Sequence, residues 1–211
     1  MNSSLYWGNR QDALGGFPRD LWESLRPRWR QIHGTAIAEV TGPGQECGEV
    51  DGLWTRDPGL PIGVVTADCV PVLLEHRTGA ARAALHAGWR GVFARIPEAL
   101  FRALPEDLVR PAEWRVVLGP SIRACCYQVS PELLESFAGA FPDLSRSLLE
   151  PAPGRLDLIA VLLHQAEVLG MPEVRVEGGC TFCSTGQDGA LYHSYRRGDR
   201  NTRQISIIHQ E

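Results

Sequence analysis

The chain has 211 residues, and its formal net charge of −4 at pH 7 gives no electrostatic reason to bind nucleic acid or an anionic membrane. With 44% hydrophobic and 22% charged residues, its composition is typical of a globular domain that buries its own core. The sequence has neither the apolar stretch of a signal peptide near its start nor an apolar run of about 18 residues. We therefore expect one domain, residues 1–211, in the cytoplasm.

The first part of the chain predicts a helix and then a strand. Residues 19–30 have apolar side chains at helical spacing, interrupted by Pro27, and their arginines are expected on a solvated surface. We expect the strand that follows to contain His33. Residues 41–52 are rich in Gly, Pro, Gln and Glu and predict a surface loop.

The middle of the chain predicts a hairpin. Residues 61–75 and 80–86 are apolar and rich in β-branched residues, and Arg77-Thr78-Gly79 between them is typical of a turn. Cys69 would lie within the first strand or at a bulge, and His86 at the end of the second. Further helices are predicted over 90–104, from Pro131 onward and over 156–169, and further strands over 114–118, 174–177, 190–195 and 204–208.

Three residues in unusual local contexts are candidate metal ligands: His33 in QIHG, Cys69 in TADC and His86 in HAGWRG. They lie far apart in the chain, so only tertiary structure can bring them together. Two imidazoles and a thiolate suit zinc and also copper. Three protein ligands leave tetrahedral zinc one position for water or substrate, which is typical of a catalytic site.

Further motifs extend this pattern: VPVLL after TADC, GPSI followed by CCY, then CTFC and YRR near the end. On these motifs the chain resembles the laccase-domain family, the YfiH-like proteins, over residues 9–204. The resemblance implies one compact α/β domain with α/β/β/α layers and mixed sheets, similar to cytotoxic necrotizing factor. It also implies a zinc centre of His33, Cys69 and His86. The implied reactions are phosphorolysis of adenosine, inosine, guanosine or methylthioadenosine, and deamination of adenosine; an older family name implies copper-dependent polyphenol oxidation.

Four charged residues near these motifs are candidate site residues. Asp68 could hydrogen-bond a ligating imidazole or handle a proton, or it could cap a backbone turn. Arg90, Arg196 and Arg197 could bind phosphate or ribose, because a guanidinium group matches oxyanions; surface ion pairs are the alternative. The helix beginning near Arg90 could also present backbone amides to an anion.

The segment around Arg10 follows the family pattern, whereas the stretch before it and position 123 depart from it. Asn9-Arg10 resembles a family segment whose arginine faces the pocket, so Arg10 is a further candidate for substrate binding. In the family a longer amino-terminal stretch with a paired-glycine motif precedes this segment, and we expect this protein to lack it. Arg123 stands where the family has glycine. If that position requires a positive φ, arginine fits poorly; alternatively it brings charge to the site.

The remaining cysteines form two sequence pairs. Cys125 and Cys126 are adjacent, and we expect reduced, packed thiols there. Cys180 and Cys183 resemble half of a zinc ribbon. Because no second CxxC is present, the sequence argues against a structural four-cysteine site.

The leading hypothesis is a zinc-dependent purine nucleoside enzyme, a monomer or weak homodimer, whose partners are a nucleoside and phosphate. Water activated by the ion would attack C6 of adenosine, and the same pocket would orient phosphate against C1′. Two alternatives remain. A copper polyphenol oxidase would need more clustered histidines than this chain, with six in total, provides. A non-catalytic metal-binding module is the other.

Overall fold

The computed structural model describes residues 3–210. Its strands are β1 (Ser4–Trp7), β2 (Arg28–Arg30), β3 (Ile37–Glu39), β4 (Glu46–Glu49), β5 (Gly52–Thr55), β6 (Ile62–Thr66), β7 (Val70–His76), β8 (Arg82–Ala87), β9 (Trp114–Leu118), β10 (Glu173–Val176), β11 (Thr185–Gly186), β12 (Gly189–Ala190) and β13 (Gln204–His209). The helices are α1 (Arg19–Leu25), α2 (Trp89–Phe93), α3 (Ile96–Ala103), α4 (Pro131–Ala140), α5 (Arg146–Leu149) and α6 (Leu158–Val168). None of the helices between residues 3 and 210 combines the length and apolar character needed to cross a membrane.

The larger sheet has six strands in the order β10-β9-β7-β8-β5-β3. At its centre is the predicted β7/β8 hairpin, whose turn has Gly79 at a φ of 78°. The outermost pairs, β10/β9 and β5/β3, are parallel. Every residue of β7 and β8 is buried, which explains why both strands are apolar nearly throughout instead of alternating with polar residues.

Both faces of this sheet are covered. Alternate residues such as Val72 and Leu74 belong to the main core, together with apolar side chains of α2 to α6. On the opposite face, Leu73 packs with Ile62 and Val64 of a second sheet, which has three strands in the order β1-β13-β6. The period of two in β7 therefore distributes its side chains between a helix layer and a second sheet.

A fourth layer lies on the outer face of the three-stranded sheet. Trp22 of α1 packs there with Leu14, Phe17 and Ile207, the last of which belongs to β13. The neighbouring residue of β13, Ile208, points into the space between the two sheets. The order of layers is thus helices, six-stranded sheet, three-stranded sheet and helix, which confirms the predicted α/β/β/α class.

Several predicted elements differ in detail. The helix over 90–104 is two helices, because Arg95 has a left-handed backbone conformation with φ of 58°, and Pro97 lies in the first turn of α3. Residues 41–52 include β4, which forms an exposed ribbon with β2. Of residues 190–195, Ala190 alone belongs to a strand. The amides of His193 and Ser194 donate to side chains instead of a neighbouring strand.

Candidate metal centre

Two loops and one strand end bring the predicted ligands together. His33 lies in the loop after β2, and not on a strand as predicted. Cys69 lies in the turn where the chain crosses from β6 in the small sheet to β7 in the large one, ahead of the strand that was expected to contain it. His86 is near the end of β8, as predicted. One ligand atom from each of the three lies within 4.8 Å of the others, and the two imidazole centroids are 4.8 Å apart.

Asp51, which the sequence placed in a loop, organises both histidines. Its carboxylate is 1% exposed. Oδ1 accepts hydrogen bonds from the backbone amide of His33 (2.9 Å) and from Nδ1 of His86 (2.8 Å). Oδ2 accepts from the amides of Ile32 (3.1 Å) and Gly34 (2.7 Å). These bonds stop the strand before His33 and hold its positive φ of 62°. Because Nδ1 of His86 donates to Asp51, Nε2 is the ring nitrogen that a metal would bind, once it has lost its proton.

The space around the donors fits a metal ion. A Cβ at Gly88 would lie 3.0 Å from Sγ of Cys69 and 3.0 Å from Cδ2 of His33, which is tighter than nine in ten Cβ contacts in proteins. The glycine of HAGWRG therefore leaves room for the side chains of both candidate ligands. Two imidazoles and one thiolate form a borderline-soft donor set of the kind that binds zinc and, in other proteins, copper.

The charges of the site favour a thiolate at Cys69 and a proton on His86. Burial by itself would raise the pKa of Cys69, but the charge and hydrogen bonds of His86 and His33 outweigh it and lower that pKa to about 6. Burial likewise opposes a charge on His86, yet Cys69 and Asp51 raise its pKa to about 9. Burial also opposes ionisation of Asp51, and the hydrogen bond from His86 and those from backbone amides lower its pKa. In the metal-free protein Cys69 is thus a thiolate at neutral pH, and a metal would replace the imidazolium proton of His86.

Asp68 connects this centre to a distant segment. Its Oδ1 accepts a hydrogen bond from Oγ1 of Thr181 (2.7 Å), and its Oδ2 accepts from the backbone amide of Arg196 (2.7 Å). Its φ of 95° is unusual for a residue with a side chain. A hydrogen bond to the imidazole of His86, one of the alternatives considered for Asp68, is made by Asp51 instead. Asp68 holds the turn of Cys69 against the segment that contains Arg196.

A pocket of about 870 Å³ opens above the three donors. This volume is in the range of small-molecule sites, about 300–1,000 Å³. Aromatic side chains form much of its wall: Trp29, Trp89, Tyr127 and Tyr195. Burial and the nearby charge of Cys69 raise the pKa of Tyr127 to about 12, so this phenol is neutral and can donate a hydrogen bond at neutral pH.

Arginines give the pocket a positive character. Arg90 and Arg196, both predicted from sequence, line it. The guanidinium of Arg90 lies 4.6 Å from the ring centroid of Trp89. That of Arg196 lies 5.2 Å from the ring centroid of Tyr127. Sequence reasoning missed four further arginines of the lining, because those near residue 28 resembled a solvated surface: Arg26, Arg28, Arg30 and Arg203.

Two predicted substrate-binding arginines lie outside this lining. Arg10 pairs with Asp199 at 2.7 Å and lines a separate cavity of about 230 Å³. Arg197 donates to the carbonyl oxygens of Thr181 and Phe182 and also pairs with Asp199. Both guanidinium groups therefore hold the chain segment behind the pocket in place. α2, the helix expected to present amides to an anion, is only five residues long.

Away from the pocket, four cysteines come together. All six cysteines are free thiols, and ligand atoms of Cys125, Cys126, Cys180 and Cys183 lie within 4.8 Å of one another. The sequence argued against a four-cysteine site because a second CxxC motif was absent. In the structure the adjacent pair Cys125-Cys126 lies where the second CxxC motif would be needed. Arg123 does not have a positive φ, so the condition under which arginine would fit poorly in place of glycine is not met.

The layered fold, with three potential metal donors in an arginine-lined pocket, defines an α/β protein with a candidate metal site. The chain belongs to the family described as multi-copper polyphenol oxidoreductase laccase, whose sequence model matches residues 18–211. A purine nucleoside phosphorylase of Pseudomonas aeruginosa is 35% identical over 90% of this chain and 77% of its own length. An adenosine deaminase, RL5, of an unknown prokaryotic organism is 31% identical over 77% of this chain and 63% of its own. The crystal structure of YlmD from Geobacillus stearothermophilus matches with a TM-score of 0.72 at 30% identity, covering 87% of this chain and 74% of that one. The family resemblance inferred from the motifs is confirmed.

Proposed function

We propose that this protein is a zinc-dependent enzyme that cleaves purine nucleosides by phosphorolysis. The observation behind the proposal is that one pocket contains the donors His33, Cys69 and His86 together with the guanidinium groups of Arg90 and Arg196. The name of the Pseudomonas aeruginosa relative, purine nucleoside phosphorylase, supports the same reaction.

The walls of the pocket suit a nucleoside. A purine can stack on Trp29, Trp89 or Tyr195, and such stacking contributes about 1–3 kcal/mol per base in nucleic-acid complexes. The neutral phenol of Tyr127 can donate a hydrogen bond to a ring nitrogen or a sugar oxygen. A pocket of about 870 Å³ has room for a nucleoside with phosphate beside it.

The chain's own groups would bind and orient the reactants. In phosphorolysis, a phosphate oxygen forms a bond to C1′ while the C1′–N9 bond breaks, and the purine leaves with a proton. Arg90 and Arg196 would offset the charge of the phosphate, and Asp68 would position Arg196 through its backbone amide. A zinc ion held by His33, Cys69 and His86 would supply a Lewis acid and lower the pKa of a coordinated water.

Deamination of adenosine is the second candidate. The relative named adenosine deaminase supports it, and so does a donor set that leaves zinc one position open. Copper-dependent phenol oxidation has less support, because multicopper centres require clustered histidines and the pocket lining includes His33 and His86 as its imidazoles. Phosphorolysis and deamination would use the same pocket, so the products of the reaction are what distinguishes them.

The test is incubation of zinc-loaded protein with adenosine, with and without phosphate, followed by chromatography. Phosphorolysis yields adenine and ribose 1-phosphate only with phosphate, whereas deamination yields inosine without it. Cys69→Ala should abolish either reaction, while Cys47→Ala, at a half-buried cysteine outside the pocket lining, should not. If neither product forms and copper-loaded protein oxidises a phenol faster than free Cu²⁺, the proposal fails. If both assays are silent, a non-catalytic metal-binding module replaces it.

A further inference from the structure

The four-cysteine cluster lies where two parallel strands end. Cys125 and Cys126 are in the loop after β9, and Cys180 and Cys183 are in the loop after β10. The loops are joined by a parallel bridge between Ser121 and Cys180. Because parallel strands end at the same edge of a sheet, residues far apart in the chain meet there.

The sulfur positions match tetrahedral coordination. The Sγ atoms of Cys125 and Cys183 are 3.7 Å apart, and all four lie within 4.8 Å of one another. Zinc–sulfur bonds of about 2.3 Å in a tetrahedron place each pair of sulfurs about 3.8 Å apart. The cluster therefore needs only small side-chain shifts to surround one ion.

Backbone amides next to the cluster donate hydrogen bonds to one of its sulfurs, that of Cys180. The amide of Arg123 donates to Sγ of Cys180 at 3.4 Å, and the amides of Phe182 and Cys183 point to the same sulfur. The guanidinium of Arg123 donates to three carbonyl oxygens, of Gly119, Glu177 and Gly178. The same guanidinium interacts with the carboxylate of Asp157 and, more weakly, with the sulfurs of Cys180 and Cys125. Amide hydrogen bonds and a nearby cation stabilise negative sulfur.

We propose that Cys125, Cys126, Cys180 and Cys183 bind a structural zinc ion, in addition to any metal at His33, Cys69 and His86. Binding replaces the four thiol protons and involves no oxidation or reduction. Four thiolates complete the tetrahedron, so the ion has no open position for substrate and acts as a cross-link.

The cross-link would support the pocket from behind. Thr181, between two of the ligands, donates to Asp68, and its carbonyl accepts from Arg197. Tyr127 follows Cys126 directly and forms part of the pocket wall. An ion joining the two loops would thus fix the positions of Tyr127 in the pocket wall and of Thr181, which donates a hydrogen bond to Asp68.

Zinc content per chain tests the proposal. In protein purified with zinc under reducing conditions, we expect two zinc ions in the parent chain and one in Cys183→Ser. We expect one in Cys69→Ser, which removes a ligand of the other centre, and two in the control Cys47→Ser. Cys183 is exposed, so its substitution should leave the circular dichroism spectrum unchanged. Equal zinc content in the parent chain and Cys183→Ser would overturn the proposal.

Cobalt substitution identifies the ligands independently. In Cys69→Ser, Co²⁺ bound to the cluster should show strong sulfur-to-cobalt charge-transfer absorption and the visible bands of a tetrahedral site. The double variant Cys69→Ser, Cys183→Ser should lose these bands. Their persistence, or a Cys125–Cys183 disulfide found by mass spectrometry in anaerobically purified, zinc-supplied protein, would also overturn the proposal. Neither result depends on nucleoside cleavage, so the two proposals fail separately.

Discussion

Replacing Asp51 with asparagine should weaken metal binding at the three-donor centre. Each of the two carboxylate oxygens of Asp51 accepts two hydrogen bonds. In either orientation of the asparagine side chain, its NH₂ group would therefore face two hydrogen-bond donors. At the Oδ1 position the new NH₂ faces the amide of His33, and it forces the proton of His86 onto Nε2, the atom needed for the metal. At the Oδ2 position it faces the amides of Ile32 and Gly34. Loss of such support typically reduces metal affinity 10- to 100-fold, about 1.4–2.8 kcal/mol.

Zinc affinity can be measured by competition with a chromogenic chelator. The measurement uses Cys183→Ser protein, because this substitution removes zinc binding by the four-cysteine cluster and leaves the three-donor centre. The same chemical change at an exposed residue, Asp143→Asn, serves as the matched control and should not alter affinity. Because the asparagine NH₂ group would face other hydrogen-bond donors in a buried site, Asp51→Asn should also lower the unfolding free energy by about 1–3 kcal/mol. Unchanged zinc affinity in folded Asp51→Asn would refute the assigned role of this carboxylate.

Three further predictions follow from the site and the core. In metal-free protein, the rate of Cys69 alkylation should rise with pH around a midpoint near 6, because the thiolate is the nucleophile. Peptide mapping measures this rate at Cys69, and a midpoint at the free-thiol pKa of about 8.5 would contradict the prediction. Arg90→Ala should raise the KM for phosphate about 10-fold or more and that for nucleoside less; equal effects in steady-state kinetics would return Arg90 to a structural role. Phe137→Ala, at a side chain 0% exposed, should lower the unfolding free energy in urea by about 3–5 kcal/mol, whereas Leu148→Ala, at 57% exposed, should change it by less than about 0.5 kcal/mol.

The sequence by itself determined the features that depend on short segments. The β7/β8 hairpin could be predicted because two apolar runs and a turn are adjacent in the chain. His33, Cys69 and His86 could be proposed as one group because each has a distinctive local context, and the glycine of HAGWRG leaves room for two of them, His33 and Cys69. Such features can be identified from neighbouring residues without knowledge of the fold.

Only the tertiary structure decided which distant residues meet. Asp51 precedes a glycine as in many turns, and nothing local shows that its carboxylate reaches His86. Arg10 and Arg196 are both arginines near family motifs, yet Arg196 lines the pocket and Arg10 pairs with Asp199 outside it. The four-cysteine cluster likewise depends on the parallel pairing of β9 and β10. Such contacts are set by the order of strands in a sheet, which a pattern of neighbouring residues does not specify.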